Sequence, residues 1–292
     1  MRKLFAVVLL YNTKIDESIT CKRLIESECD NLEIVILDNS TKNMGNEAIC
    51  ENLNYSYISM NGNKGLSKPY NVAINYILKE KKAKDDDFII WFDDDTKIDK
   101  EYFQVLNNDI ENNKEIDIFA PIVYGQDGVI YSPNNARYIK NKLVKDIEEI
   151  DRIKKYNAIN SCLAVKVSTY ENYRYDEVLF LDQTDQNFFD DMRKLNKRFH
   201  TLHVKIDQNF SQRGNDLDPH KMLVRYEIRI ADIMRYGRKK HVNNCKSLFK
   251  SCGLAVQMSI KCRYISIATK CCGLAFKIFF KNIGNLLIRG NK

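Results

Sequence analysis

Three adjacent carboxylates, Asp93–Asp95, follow the apolar run Phe88–Phe92. Adjacent carboxylates repel one another unless a cation lies among them. The apolar run has the composition of a buried strand, and open α/β folds bind ligands at the carboxyl ends of such strands. A hard divalent ion held by one or two carboxylates completes its shell with water and phosphate oxygens. The sequence therefore predicts a metal–diphosphate site here, whereas we interpret the nearby Asp85–Asp87 as an acidic surface turn.

A second polar segment follows the strand-like run Ile34–Leu37 and reads Asp38–Thr41. A carboxylate and an amide at the end of a strand suit the imide of a nucleotide base and a ribose hydroxyl. The alternative is ordinary turn chemistry, because Asp, Asn and Ser are common turn residues.

The segment Asn61–Ser67 precedes a probable helix that contains Asn71. Gly65 permits a tight turn, Lys64 has the charge and reach for a phosphate, and Asn71 is expected to face back toward the turn. The alternative is a loop with no ligand, in which Ser67 caps the helix.

The segment Phe180–Asp185 leads into a predicted helix, with Arg193 two turns further on. Asp185 falls near the start of that helix, where the helix dipole favours an ionised carboxylate. An ionised carboxylate that faces a bound sugar can act as a general base. The alternative is simple capping of the helix by acidic residues.

These residues are positioned by alternating elements in the first half of the chain, which predict βαβ units and a mostly parallel sheet. The predicted strands are Leu4–Leu10, Glu33–Leu37, Tyr55–Met60 and Phe88–Phe92, and the predicted helices are Glu17–Glu28, Asn46–Asn52 and Leu66–Lys81. The second half is more mixed, with a turn at Gly125–Gly128. Its predicted strands are Ile116–Val123, Val129–Tyr131, Asn160–Val167 and Phe199–Ile206, and its predicted helix is Thr184–Leu195.

The net charge of +7 conceals an asymmetry. Residues 220–292 hold 16 Lys/Arg and only two acids (+14), whereas residues 1–219 hold 30 Lys/Arg and 37 acids (−7). From residue 220 onward helices are expected, and Arg263, Lys270, Lys277 and Lys281 fall on one stripe with an apolar face opposite. We expect residues 245–289 to bind an anionic membrane surface. The alternatives are a helix that packs on the main domain with its lysines in water, and nucleic-acid binding, which we disfavour.

The 292 residues and ordinary composition fit a folded α/β protein. The start of the chain, with Leu4–Leu10 as a first strand and no small-residue cleavage site, is not expected to be a secretion signal. The nine cysteines have no paired metal-ligand spacing, and no run of residues is apolar for long enough to cross a bilayer. We therefore expect a cytoplasmic protein with reduced thiols, located at the inner face of the plasma membrane.

Taken in order, these motifs resemble the family 2 glycosyltransferases of GT-A fold, in particular the rhamnosyltransferase-like branch that builds bacterial surface polysaccharides. The resemblance covers about residues 1–214. It implies a GT-A domain over 1–219, with a nucleotide-sugar half (1–98) and an acceptor half (99–219), followed by helices at 220–292. The matching segments are Val7–Asn12, Ile36–Ser40, Asn63–Ser67 with Asn71, Trp91–Thr96, and Phe180–Asp185 with Arg193.

The resemblance also implies a role for each matching residue. Asp185 is the expected catalytic base, Asp182 and Arg193 are expected on the acceptor side, and Asp93 and Asp95 are expected to bind Mn²⁺ or Mg²⁺, with Asp94 between them as a spacer. The residues expected to bind the donor are Tyr11, Asn12, Asp38, Asn39, Asn63, Lys64, Gly65, Asn71, Asp93 and Asp94.

The implied reaction is a single displacement with inversion, from a nucleoside-diphosphate sugar (dTDP-rhamnose or a UDP-hexose) to a saccharide acceptor that is expected to be lipid-linked. The chain departs from the family in one respect. Relatives often carry a metal-binding histidine before a Ser after the last core strand, whereas Ile206–Ser211 contains none. Asp207 or water is the expected substitute.

Two rival functions are weaker. A nucleotidyltransferase normally has a glycine-rich loop after the first strand, but Tyr11–Lys14 follows that strand and the first glycine in the chain is Gly45. A dinucleotide-binding fingerprint is excluded by the same absence. A catalytically inactive GT-A-fold binding or partner subunit is disfavoured because Asp93, Asp95 and Asp185 are all present.

Overall fold

The computed structural model describes residues 2–139, 141–208, 218–239 and 241–290. The chain divides into two compact units. Unit 1 comprises residues 1–175 and 188–210, and unit 2 comprises residues 176–187 and 211–292. The segment 176–187 thus belongs with the C-terminal helices, although the sequence-based boundary at residue 219 assigned it to the main domain.

Unit 1 is built on one eight-stranded sheet whose central strand order is β10-β5-β9-β4-β1-β2-β3, with β6 paired to β5. The strands of the sheet are β1 (Leu4–Leu10), β2 (Leu32–Asp38), β3 (Ser56–Ser59), β4 (Phe88–Asp93), β5 (Ile118–Gly125), β6 (Ile130–Ser132), β9 (Leu163–Lys166) and β10 (Phe199–Gln208). The short strands β7 (Asn134–Asn135) and β8 (Tyr156–Asn157) pair separately.

The helices that connect these strands are α1 (Ile19–Glu26), α2 (Asn46–Leu53), α3 (Ser67–Lys79), α4 (Lys100–Asn112) and α5 (Thr184–Lys194). The pairs β1–β2, β2–β3, β1–β4 and β5–β10 are parallel, and β9 is antiparallel to both β4 and β5. The predicted α/β class, with a mostly parallel sheet and a mixed second half, is therefore confirmed. The strand β1 has the predicted ends, and the ends of the other predicted elements differ by at most three residues.

The strand β1 lies in the middle of the sheet and is buried on both faces. All seven of its residues are buried, because successive side chains point to opposite faces and both faces are covered. Leu4, Ala6 and Val8 pack in one apolar layer, whereas Phe5 and Val7 pack in the other. Each Leu, Val or Phe side chain of β1 contributes about 1.5–3 kcal/mol on burial. The packing of β1 therefore fixes the carboxyl edge of the sheet, where the polar residues after the strands lie.

Unit 2 contains the helices α6 (Pro219–Tyr236), α7 (His241–Lys261) and α8 (Ile265–Gly290), which share an apolar core. The predicted C-terminal helix is confirmed and continues through Gly273 and Gly284, but it begins at Ile265, so Arg263 lies outside it. Both glycines lie in open space on the helix surface. In the described parts of the chain, no helix is both long and apolar enough to span a membrane.

Candidate active site

The carboxyl ends of three neighbouring strands meet at one edge of the sheet in unit 1. Leu10 at the end of β1 pairs with Asp38 at the end of β2, and Leu9 pairs with Asp93 at the end of β4. The structure therefore brings together the two acidic motifs that the sequence places 55 residues apart, as their positions in the sequence indicated. We call Asp93, Asp94 and Asp95 the strand-edge cluster.

Asp93 is the innermost member of the strand-edge cluster. One of its carboxylate oxygens, Oδ2, accepts a hydrogen bond of 2.9 Å from the side-chain amide of Gln208 at the end of β10. Burial, followed by the negative charge of Asp95, raises the pKa of Asp93 to about 6. Two acids that disfavour each other's charge mark a place where a cation would be bound.

Asp94 and Asp95 have different environments. The Asp94 carboxylate accepts from the Thr13 hydroxyl (2.7 Å) and from the backbone N–H of Tyr11 (3.5 Å), so it fastens the loop after β1. Its expected role as a spacer fits these contacts. Asp95 is exposed, and partial desolvation, followed by the charge of Asp94, raises its pKa.

The strand-edge cluster fits a hard divalent cation. None of the described Lys or Arg side chains forms an ion pair with its three carboxylates, and the described residues contain no group of three His, Cys, Asp or Glu placed to hold a metal by themselves. Mg²⁺ and Mn²⁺ sites that also bind phosphates need only one or two carboxylates. The residues present therefore suit a cation that a diphosphate helps to coordinate, rather than a closed structural metal site.

Asp38 lies buried beside the strand-edge cluster. Its carboxylate accepts hydrogen bonds from the backbone N–H of Ser40 (3.0 Å), the Asn46 amide (2.9 Å) and the Tyr57 hydroxyl (3.2 Å). Burial, followed by the charge of Asp38, raises the pKa of Tyr57 to about 12, so its hydroxyl remains a donor. These contacts hold Asp38 in one orientation, and its expected contact with a nucleotide base stays a prediction.

The segment Asn61–Ser67 is tied to the same edge by Asn39. The Asn39 amide donates to the Gly65 carbonyl (2.9 Å) and accepts from the Lys64 backbone N–H (2.8 Å). Asn63 lies 3.3 Å from the same amide. Gly65 has a φ of +78°, which a glycine adopts without strain, so the predicted tight turn is confirmed. Four of the expected donor-binding residues therefore form one connected loop structure.

Tyr11 and Asn12 form the opposite side of this loop structure. The Tyr11 side chain is exposed. The Asn12 side chain accepts from the backbone N–H of Thr41 (2.9 Å), and the Asn12 backbone N–H donates to the Ser40 hydroxyl (2.8 Å). An exposed aromatic ring on a tethered loop is available to cover a planar base.

Asn71 was expected to face back toward the turn, but it does not. Its amide instead pairs with both backbone groups of Tyr175, at 2.8 and 2.9 Å, and it is buried. The reason is that helix α3 presents this face to the Tyr170–Tyr175 segment, which packs over the same apolar layer. Asn71 therefore fixes the chain immediately before residue 176. Nor does Ser67 cap α3, whose N-cap position is Leu66 with no side-chain hydrogen bond.

The second candidate region lies in unit 2, in the loop that leads to Asp185. We call Asp176, Asp182 and Asp232 the loop clamp. The Asp182 carboxylate pairs with Arg225 and lies 3.9 Å from Arg229, both on α6. Asp176 pairs with Arg238. These carboxylates are thus matched by cations of the same unit, and the expected contact of Asp182 with an acceptor stays a prediction.

Asp232 is a residue that the sequence-based search missed. It is fully buried on α6, and its carboxylate accepts from the backbone N–H groups of Phe180 (3.0 Å), Leu181 (2.7 Å) and Asp182 (2.9 Å). Burial raises its pKa, which the three N–H bonds partly offset. A lone acid in the apolar stretch of a basic helix was the signal that could have revealed it.

Asp185 occupies the first turn of α5, which confirms its predicted place at a helix start. Further along the same helix, Arg193 pairs with Asp190 and donates to the Tyr156 carbonyl. Both contacts of Arg193 lie inside unit 1, so it steadies that unit. Its expected role on the acceptor side remains a prediction.

The sheet order of unit 1, with acidic side chains at its carboxyl edge, is that of an α/β fold of GT-A architecture. The model of the family described as glycosyl transferase family 2 matches residues 7–174, more than half of the 292-residue chain, so the chain belongs to this family and is a glycosyltransferase. The dTDP-rhamnosyl transferase RfbF of Shigella flexneri is 25% identical over 252 residues, which are 82% of this chain and 81% of RfbF.

Solved structures show the same fold. S. aureus TarS 1-349 has a TM-score of 0.50 at 19% identity over 80% of this chain, which spans 65% of that structure, less than two thirds of it. Glucosyl-3-phosphoglycerate synthase from Mycobacterium tuberculosis, in complex with Mn²⁺, UDP and phosphoglyceric acid, has a TM-score of 0.51 at 11% identity, over 81% of this chain and 79% of that one. The family and the GT-A fold that the motifs indicated are confirmed.

Proposed function

We propose that this glycosyltransferase moves a sugar, with inversion, from dTDP-rhamnose or a UDP-hexose to a saccharide acceptor that is lipid-linked and belongs to bacterial surface polysaccharide synthesis. The observation that carries this proposal is the strand-edge cluster, whose carboxylates form no ion pair with the described Lys and Arg side chains and which adjoins the Asp38–Asn39 loop structure. The similarity to RfbF supports the rhamnose donor, and the UDP complex of a fold relative supports a diphosphate at this edge.

The donor is held by unit 1 in this proposal. Tyr11 covers the base, Asp38 and Asn39 contact the base and ribose, and Lys64 contacts the diphosphate. Asp93 and Asp95 hold Mn²⁺ or Mg²⁺, whose chemistry when bound is to offset the negative charge of the departing nucleoside diphosphate. Asn12, Asn63, Gly65 and Asp94 keep these groups in place through the hydrogen bonds of their loops, whereas Asn71, the remaining residue expected to bind the donor, holds the Tyr175 backbone.

The acceptor is activated by Asp185 in this proposal. Its carboxylate takes the proton of the acceptor hydroxyl while the hydroxyl oxygen bonds to the anomeric carbon and the carbon–diphosphate bond breaks. The first turn of α5 favours the ionised form that a base requires. Asp182 and Arg193 position the acceptor or the loop around it.

The substitution Asp185→Asn tests this assignment, because the amide keeps the shape of the side chain and removes its basicity. We expect transfer to fall by roughly 10²–10⁴-fold, the usual contribution of a general base. The affinity for UDP or dTDP with Mn²⁺, measured by calorimetry, should stay at the wild-type value. The matched control is Asp191→Asn on the same helix, where the carboxylate pairs with Lys194, and it should keep its activity. Wild-type turnover by Asp185→Asn would refute the assignment.

We also propose that unit 2 binds an anionic membrane surface, at the inner face of the plasma membrane, through residues 245–289. Three features of α8 support this proposal. Its buried face holds Ile267, Cys271 and Ala275, a second face holds exposed lysines, and a third face is apolar and exposed, with Phe280 at 65% exposure. Among the residues of α7 and α8 whose burial is described, the exposed large apolar side chains are Val242, Phe249, Val256, Ile260, Ile265, Phe276 and Phe280.

Vesicle flotation tests the membrane proposal. Each lysine near an anionic surface contributes about 1 kcal/mol, so the double substitution Lys277→Gln/Lys281→Gln should weaken binding to phosphatidylserine vesicles by roughly tenfold or more. Neutral vesicles should bind weakly in every case. The control Lys22→Gln/Lys42→Gln removes two exposed lysines of unit 1 and should change nothing. Equal binding to anionic and neutral vesicles would contradict the electrostatic part.

A further inference from the structure

The end of β10 lies beside the strand-edge cluster. It contains the residue that takes the place of the histidine found in relatives, which the sequence alone did not identify. Along β10 the side chains alternate, so that Ile206 and Gln208 are buried, whereas Lys205 and Asp207 are exposed. The Asp207 side chain is 61% exposed and pairs with Lys205 at 2.9 Å. Asp207, which we expected to replace the missing histidine, therefore points away from Asp93.

Gln208 occupies the position that faces Asp93. Its side chain is only 8% exposed, and its Nε2 atom donates to Asp93 Oδ2 at 2.9 Å. Its other amide atom, Oε1, is buried and has no hydrogen-bond partner among the described residues. A buried carbonyl oxygen without a partner is unfavourable, because it has lost its hydrogen bonds to water. This oxygen can therefore coordinate a ligand, and it lies next to two carboxylates with which none of the described Lys or Arg side chains forms an ion pair.

We propose that Gln208 is the third protein ligand of the divalent cation that Asp93 and Asp95 hold, and that it coordinates through its amide oxygen. The inference rests on the metal-dependent function proposed above and specifies its ligand set. Amide oxygens of Asn and Gln are common ligands of hard cations. Because the amide can turn about its last bond, Nε2 holds Asp93 when the cation is absent and Oε1 faces the cation when it is present.

A neutral oxygen ligand has a consequence for metal choice. Imidazole nitrogen favours Co²⁺, Ni²⁺ and Zn²⁺, whereas carbonyl and carboxylate oxygens favour Mg²⁺ and Mn²⁺. A site made of Asp93, Asp95, Gln208 and phosphate oxygens is an all-oxygen site. Gln208 thus makes this chain more selective for Mg²⁺ and Mn²⁺ than a protein with histidine at this place.

The test is Mn²⁺ binding, measured by the loss of the free-ion electron paramagnetic resonance signal with saturating UDP or dTDP. Gln208→Met keeps the length of the side chain without a hard ligand, and we expect it to weaken Mn²⁺ binding by roughly 10–100-fold. The matched control, Asp207→Asn at the neighbouring exposed position, should bind Mn²⁺ as the wild type does. Wild-type Mn²⁺ affinity in Gln208→Met, together with lost affinity in Asp95→Asn, overturns the inference and leaves the proposed function intact.

A second variant tests whether Gln208 coordinates the cation or only holds the Asp93 carboxylate in place. Gln208→His should move the ratio of Co²⁺ to Mg²⁺ affinity at least tenfold toward Co²⁺, because it exchanges an oxygen ligand for a nitrogen ligand. A residue that acts only through its hydrogen bond to Asp93 would change both affinities by the same factor, so an unmoved ratio overturns the inference. If the wild type binds no Mn²⁺ with either nucleotide, the proposed function fails together with it.

Discussion

The strand-edge cluster in unit 1 and the loop clamp in unit 2 each consist of three carboxylates, but among the described residues only those of the loop clamp pair with arginines. Asp182 and Asp176 pair with arginines, and Asp232 accepts three backbone N–H groups. Asp93 has a neutral amide as its side-chain partner, and the charges closest to it are those of Asp95 and Asp94.

We interpret this difference as one between carboxylates that are available to a ligand and carboxylates that support the fold. Carboxylates matched by cations and N–H groups stabilise the fold, because their charge is compensated before any ligand arrives. Carboxylates that repel one another are retained at a cost in stability, which a bound cation removes. Removing a charge should therefore have opposite effects on the stability of the two regions.

The largest expected effect is on activity, in Asp95→Asn. Loss of one of the two carboxylates that we propose bind the metal should reduce transfer by about 100-fold or more, because a bound metal contributes several kcal/mol to the transition state. The melting temperature of the metal-free variant should equal or exceed that of the wild type, since one repulsive charge is gone. Transfer assays and calorimetric melting in a chelator measure the two effects. A large fall in melting temperature would place Asp95 among the structural carboxylates.

The next effect is on stability, in Asp232→Ala. The change leaves the buried N–H groups of Phe180, Leu181 and Asp182 without their acceptor, and we expect a loss of about 2–4 kcal/mol in the free energy of unfolding. Transfer should also fall, since these residues lead to Asp185, whereas UDP or dTDP binding to unit 1 should not change. Urea unfolding followed by circular dichroism gives the stability. If Asp232→Ala has the free energy of unfolding of the wild type, the three N–H bonds to Asp232 do not stabilise the fold and the prediction is wrong.

The smallest effect is a pH dependence in the metal-free protein. The pKa of Asp93 is raised from 3.8 to about 6, so the folded state holds this proton more tightly than the unfolded chain does. The resulting stabilisation is complete below 3.8 and is lost as the pH rises through about 6. Asp93→Asn removes the titration, so the stability of the variant relative to the wild type should increase across that range. A difference that is constant with pH would mean that Asp93 is not destabilised by its neighbours.

Much of unit 1 could be predicted from the sequence, because its signals are local. Buried strands are apolar runs, and Asp38 and Asp93 each follow such a run directly. The same reasoning places Asp185 in the first turn of its helix. Each of these positions depends on one element and on the rule that parallel strands end at a common edge.

The contacts that could not be predicted join distant parts of the chain. Gln208 and Asp93 are 115 residues apart, and their meeting depends on an isolated bridge between Lys97 and Asp207, which brings the end of β10 to the chain that follows β4. In unit 2, helical periodicity identifies the faces of α8 but not which neighbour covers them. The apolar face that we assigned opposite the lysines is therefore partly exposed at Ile265 and Phe276, whereas Ile267 and Cys271 are buried.

The most direct test of the central claim is a donor screen by mass spectrometry, with the full chain incubated with dTDP-rhamnose and UDP-hexoses in Mn²⁺ or in a chelator. If the strand-edge cluster binds a cation and a diphosphate, at least one donor will release its nucleoside diphosphate in Mn²⁺ and not in the chelator, and Asp95→Asn will release none. Release that is the same in the chelator, or the same in Asp95→Asn, would contradict the claim.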